Sequence, residues 1–264
     1  MIWLLAYFVT GSLVGFLAGL LGIGGGMTLV PVLSAMFAMQ QLAPDHTVHL
    51  ALGTGMASVM FTSSASVREH HRHAAVDWSV VRRMVPGMVA GTLLSTFASG
   101  WISQRALALA FAVIVFGGAT QMLFGRKPVA GRTLPGPVGL FTIGLAIGVI
   151  SGLVSAGGTF LTVPFMLYCG VSMRVAIGTA AAVGIPVAVV GTIGYLASGL
   201  RIGGLPDWSI GFVYLPALVA LVAASVLTAP LGARTTQRLP VAMLKRVFAV
   251  LLYALAARMV WSFA

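Results

Sequence analysis

Charge is what this chain has least of. Of its 264 residues only 7% are charged and just four are acidic, against about 25% charged in a soluble domain. Such a chain cannot cover a water-facing surface, so a soluble globular fold is excluded. The single cysteine, Cys169, lies in an apolar run and excludes a disulfide framework or a thiolate metal cluster within one chain. There is no GxxxxGK[ST] loop and no H-E-x-x-H pair, which argues against an ATP motor and a zinc protease. No nucleophile–histidine–carboxylate set is legible, so neither catalysis nor a cofactor or metal is expected. The His-rich run Glu69-His70-His71-Arg72-His73 has no spaced second ligand pair and reads as a solvated cytoplasmic loop.

What the chain does have is apolar length. It is 59% hydrophobic, with uncharged stretches at Met1–Pro44, Met84–Gln104, Ala106–Gly125, Thr133–Met173, Val175–Leu200 and Trp208–Ala233. A helix needs about 20 apolar residues to cross a bilayer, so each stretch suffices for one crossing or more. The class is therefore an all-α polytopic membrane protein. The first stretch lacks a basic n-region and is too long for a signal-peptide core, so it is expected to be mature protein. The net charge of +11 sits in short loops, where it sets orientation and is no sign of nucleic-acid binding.

One signature occurs twice. Gly11, Gly15, Gly19, Leu20, Gly24, Gly25, Val30 and Pro31 recur 133 residues later as Gly144, Gly148, Gly152, Leu153, Gly157, Gly158, Val163 and Pro164. Each copy is a long apolar run broken by a glycine knot, Gly22-Ile23-Gly24-Gly25-Gly26 in the first and Ser155-Ala156-Gly157-Gly158-Thr159 in the second. Further matches pair Ala51, Gly53 and Thr54 with Ala176, Gly178 and Thr179, and Asp77-Trp78 with Asp207-Trp208. The expected plan is two transmembrane repeats, 1–124 and 137–264, joined by a basic cytoplasmic linker at 125–136. A duplicated, interrupted hydrophobic segment points to the binding site of a secondary transporter.

Plain hydropathy counts roughly eight helices, but Trp3–Met39 as one helix would be about 55 Å long, against a hydrocarbon core of about 30 Å. Folding back at each knot makes ten segments, at 3–22, 27–40, 49–67, 84–103, 107–124, 137–154, 159–170, 175–199, 209–230 and 244–262. With that parity, twelve basic residues, Arg68, Arg72 and Arg234 among them, share one side and only Arg105 and Arg201 the other. The positive-inside rule then sets both termini in the periplasm. Five segments per repeat is odd, so the second repeat is inverted.

Gly11, Gly15 and Gly19, like Gly144, Gly148 and Gly152, line one helix face and suit close helix packing. The knots differ. Each leaves backbone N–H groups free just before a short helix, an arrangement that favours an anion; the plainer reading is a hairpin turn with no ligand. Thr54, Ser58, Thr62 and Ser66 form an i, i+4 stripe that either lines a polar path or glues helices together. Only Thr54 has a hydroxyl counterpart in the second repeat, Thr179. His49, at the start of a span, is a candidate proton carrier, and Arg68 and Arg174 either attract anions or anchor topology.

The run Gly19-Leu20-Leu21-Gly22-Ile23-Gly24-Gly25-Gly26 followed by Val30-Pro31, with Ala51-Leu52-Gly53-Thr54 and Asp77-Trp78, resembles the hallmark of the TauE/SafE sulfite exporter-like permeases, within the 4-toluenesulfonate uptake permease superfamily. The resemblance covers nearly the whole chain. It implies a bacterial inner-membrane permease for a sulfur-containing anion, sulfite or an organosulfonate, working without ATP. Carried over by position, it implies substrate contacts at Gly24, Gly25, Gly26, Thr54, Gly157, Gly158 and Thr179; Ser58 and Thr159 add hydroxyls, and His49, Thr62 and Arg68 mark a proton or anion path. The expected partners are that anion, the bilayer and a coupling ion, H⁺ or Na⁺, with a homodimer left open. The two repeats would rock about the site and export the anion; an anion channel and a non-transporting membrane subunit are the rival readings.

Overall fold

The computed structural model describes residues 2–21, 25–124, 133–155 and 157–236, and isolated positions between 246 and 261. Gly24, Ala156, most of the linker and most of the tenth expected segment lie outside the described residues. Nine described helices appear: α1 (Ile2–Leu21), α2 (Gly26–Met39), α3 (Thr47–Arg72), α4 (Trp78–Ser99), α5 (Gln104–Phe124), α6 (Pro137–Val154), α7 (Thr159–Tyr168), α8 (Met173–Gly199) and α9 (Leu215–Thr236). They match nine of the ten expected segments. Five of them are long and apolar enough to cross a membrane.

Three boundaries differ from expectation, each for a local reason. α4 starts at Trp78, six residues early, because the Asp77 carboxylate accepts the Ser79 and Val80 N–H groups at 2.9 and 3.3 Å and so caps the helix. α9 starts late because Ser209–Ile210 and Val213–Tyr214 pair as a small antiparallel hairpin, β1 and β2. α3 runs on to Arg72, so the expected solvated loop at 69–72 is helical, with Glu69 and His70 buried. Glu69 holds Arg234 of α9 at 3.1 Å, Arg72 at 3.6 Å and His73 at 3.4 Å.

α2 and α7 have 14 and 10 residues, about 21 and 15 Å, and are too short to span a core of about 30 Å. α3 and α8 form the middle of the molecule and are mostly buried, whereas α1, α6 and α9 turn most of their surface outward. Glycine sets how these helices meet. Gly11, Gly15 and Gly19 of α1 lie against Leu221, Ser225 and Ala229 of α9, so those two helices run parallel with backbones nearly touching. Gly144, Gly148 and Gly152 of α6 lie against Met84, Met88 and Ser95 of α4, also parallel. α3 and α8 run antiparallel, with Met56 against Gly191, Ser63 against Gly184 and His70 against Gly178. Each contact between first and fourth helices thus has a counterpart in the opposite half.

Candidate functional site

Each knot ends in a glycine that only glycine adopts without strain. Gly25 at φ 80° caps α2 and Gly158 at φ 77° caps α7, with the same ψ of −12°, in the left-handed region. Both cap carbonyls are held by threonine, Thr28 Oγ1 donating to Gly25 O at 2.8 Å and Thr162 Oγ1 to Gly158 O at 2.6 Å. Helix starts leave their first N–H groups without intrahelical partners, and α2 and α7 both start at the knots.

The two knots meet. A Cβ on Gly26 would strike the Ser155 carbonyl oxygen, and one on Gly55 would sit 3.1 Å from Ser155 Oγ. Val59, midway along α3, touches both, lying 2.9 Å from a Cβ built on Gly26 and 2.8 Å from one built on Gly157. Gly184, midway along α8, lies between Thr159, Ser63 and the Gly157 carbonyl. The halves solve the same contact with sizes exchanged: Gly26 faces Val59 in the first, and Thr159 faces Gly184 in the second.

Around this meeting point stand buried hydroxyls with no protein partner: Ser63, Ser151 and Ser155 Oγ, each fully buried. Among the described residues no lysine, arginine or carboxylate is buried beside them; Glu69, at the far end of α3, is the one buried carboxylate. The arrangement is a cluster of neutral hydroxyls beside two helix N-termini, a donor set suited to an oxyanion. No group of three or more His, Cys, Asp or Glu side chains among the described residues is placed to hold a metal ion.

Of the sequence-predicted residues, Gly25, Gly26, Gly157, Gly158 and Thr159 gather here, and Gly24 lies outside the described residues. Thr54 and Thr179 do not. Thr54 Oγ1 accepts the Tyr214 N–H at 3.0 Å and Thr179 Oγ1 accepts the Asp77 N–H at 2.8 Å. Because Ser63 faces Gly184 in the antiparallel α3–α8 pair, Thr179 is level with the His70 end of α3 and Thr54 with the other end, about 21 Å apart along the axis. They fasten each third helix to the approach of the other half's fourth helix. Ser58 is buried with its hydroxyl unpartnered, and Thr62 Oγ1 lies 3.0 Å from both the Ser58 carbonyl and Ser225 Oγ of α9. His49 Nε2 donates toward the Ser99 and Ile102 carbonyls, both at 3.0 Å, with its ring stacked on Phe212 at 4.9 Å. Arg68 and Arg174 are exposed. Ser63 was not singled out by the sequence as a site residue; its one signal is that it sits on α3 opposite a glycine of α8.

The profile of the family described as Sulfite exporter TauE/SafE matches residues 7–259. A probable membrane transporter protein of Haemophilus influenzae is 32% identical over 259 residues, covering 97% of this chain and 98% of its own length. The probable membrane transporter protein YdhB of Bacillus subtilis is 27% identical, covering 88% and 90%, and the probable membrane transporter protein MJ0441 of Methanocaldococcus jannaschii is 23% identical, covering 88% and 85%. No solved structure gives a significant match. These names point to a membrane transporter rather than an enzyme, in agreement with the apolar helices. A family match over nearly the full length shows that the chain belongs to the TauE/SafE sulfite exporter family of membrane transporters.

Proposed function

We propose that the chain is a secondary transporter that moves a small sulfur oxyanion, sulfite or an organosulfonate, outward across a bacterial inner membrane by alternating access. The observation that carries this reading is the meeting of the two knots midway along α3 and α8, with the hydroxyls of Ser63 and Ser155 unpartnered beside two helix starts. Neutral donors bind an anion without holding it as a charge clamp would, which suits release on the far side. Outward movement of one negative charge is favoured by about 2.3 kcal/mol per 100 mV.

In this reading 1–124 and 137–264 are inverted repeats. The parallel α1–α9 and α4–α6 pairs and the antiparallel α3–α8 pair support it, since a four-span repeat would make α3 and α8 parallel. The end that carries Arg72, Arg174 and Arg234 is cytoplasmic by the positive-inside rule, and the termini are periplasmic. Single cysteines at Gln41 and Ser172 test this: they should label from opposite sides of the membrane, and labelling from one side would refute the inversion.

The transport reading is tested by flux into proteoliposomes with sulfite, a taurine-like sulfonate, sulfate and chloride. Saturable flux with counterflow is expected for a sulfur anion, and Gly158→Val should abolish it while leaving membrane insertion intact. Flux that neither saturates nor shows counterflow identifies a channel instead. Absence of flux for every anion refutes transport.

A further inference from the structure

Three polar atoms along one face of α3 have no protein partner: Ser63 Oγ, Ser66 Oγ and His70 Nε2. Their residues are 0%, 2% and 1% exposed. At about 100° per residue they fall within about 60° of arc, on the side that packs against α8. Ser63 lies at the knots, beside Gly184, and His70 lies at the basic end, beside Gly178. Serine and threonine in a helix commonly bond the carbonyl one turn back, as Ser64 does to Met60 at 2.7 Å and Thr62 to Ser58 at 3.0 Å. Ser63 and Ser66 do not. Buried polar atoms are nearly always bonded, to protein, water or ligand, so three in succession mark a polar passage.

The matching face of α8 has no such series. The matching positions of α8 are Ala188, Gly191 and Tyr195. Ala188 has no polar side-chain atom. Met56 fills the space at Gly191, with its Cε 2.6 Å from a Cβ built there, and the Tyr195 hydroxyl donates to the Gly152 carbonyl at 2.7 Å. The α3 face on the His70 side is polar and unsatisfied, and the matching α8 face is apolar and filled.

We propose that the Ser63–Ser66–His70 face is the passage between the knots and the cytoplasm, and that His70 binds a proton there which travels with a dianion such as sulfite, so that one net negative charge still moves outward. This rests on the anion-transport reading above. The Gly19 backbone is a hydrogen-bonding neighbour of the His70 ring, and Nε2 has no partner. With the hydrogen on Nδ1, neutral His70 keeps its lone pair on Nε2, toward the passage. A proton taken onto Nε2 turns an acceptor into a charged donor, the complement of an incoming oxyanion; loss of the proton restores the lone pair. The titratable and charged neighbours are Glu69 on α3 and His73 just past its end, with Arg72 and, from α9, Arg234 held by Glu69. From α1 and α8 the neighbours are Gly19 and Gly178, with Ala75 beside them, and among the described residues no titratable side chain is shown facing His70 from those elements.

Two measurements test this. In a Cys169→Ser background, Ser66→Cys should react with a membrane-impermeant methanethiosulfonate from the cytoplasmic side, and Ala188→Cys from neither side. An inert Ser66→Cys, or equal reaction at both positions, overturns the passage without reference to transport. In proteoliposomes, sulfite exchange is compared with sulfite flux driven by an imposed pH gradient. His70→Gln, which keeps a neutral donor, should retain exchange within about twofold of the unaltered protein and lose at least tenfold of the gradient-driven component. A normal response of His70→Gln to the gradient, or loss of exchange in a monodisperse variant, overturns the role of His70. If the unaltered protein moves no anion, it is the transport reading that fails, and the cysteine result still decides the passage.

Discussion

Replacing Gly184 by valine probes the seat of the knots directly. A Cβ there would lie 3.1 Å from Thr159 Cγ2, 3.2 Å from Ser63 Oγ and 3.3 Å from the Gly157 carbonyl oxygen. Each is shorter than the ordinary optimum of about 3.5–4.0 Å, and valine adds two methyls beyond the Cβ. Overpacking of this kind costs about 1–3 kcal/mol, while the better helix propensity of valine offsets only a few tenths of a kcal/mol. At about 2–4 °C per kcal/mol for a chain of this size, Gly184→Val should lower the melting temperature of the detergent-solubilised protein by roughly 2–10 °C. Adding Thr159→Gly recreates the first half's arrangement, in which a glycine at the helix start faces a valine midway along the third helix. The double variant should regain about half of the loss, a coupling of about 1 kcal/mol; the contacts with Ser63 and Gly157 account for the remainder. Thermal unfolding followed by fluorescence-detected size exclusion reads all four chains. A double variant that melts no higher than Gly184→Val alone would refute the size-exchange argument.

Thr54→Val and Thr179→Val each orphan a backbone donor, at Tyr214 or Asp77, and should cost about 1–3 kcal/mol; the serine variants should melt near the unaltered protein in the same assay. Asp77→Ala removes the cap of α4 and should cost about 0.5–2 kcal/mol, with Asp77→Asn close to neutral, and amide exchange at Ser79 and Val80 should rise in the alanine variant alone. Gly148→Leu drives a side chain into the Met88 carbonyl and should yield aggregated protein on size exclusion, whereas Gly117→Leu, where a Cβ meets nothing within 4 Å, should remain monodisperse.

The segment map was legible because hydropathy, glycine spacing and loop charge are local properties, and nine helices fall where those signals put them. Turn chemistry was read less well: Asp77 was visible, but its capping of α4 was masked by Arg82 and Arg83 on the first turns, which resemble a loop. The fasteners were not legible at all. Thr54 and Tyr214 are 160 residues apart and Thr179 and Asp77 are 102 apart, and a single sequence carries no signal for such pairs. The same two threonines looked like site residues because duplication marked them, and duplication marks packing and binding alike. Ser63 was overlooked for the opposite reason: its counterpart, Ala188, is not a hydroxyl.

The two glycine ladders carry a mechanical consequence. Where α1 meets α9 and α6 meets α4, backbone lies against backbone at Gly11, Gly19 and Gly148, leaving little side chain there to slip or repack. Such joints resist sliding, and both join a helix from one half of the chain to a helix from the other. The α3–α8 contact, by comparison, is cushioned by Met56, Val59 and the serines. Rigid pieces of this protein are therefore mixed, each holding one helix from either copy of the duplication, and the line along which the molecule can flex runs across the repeats rather than between them.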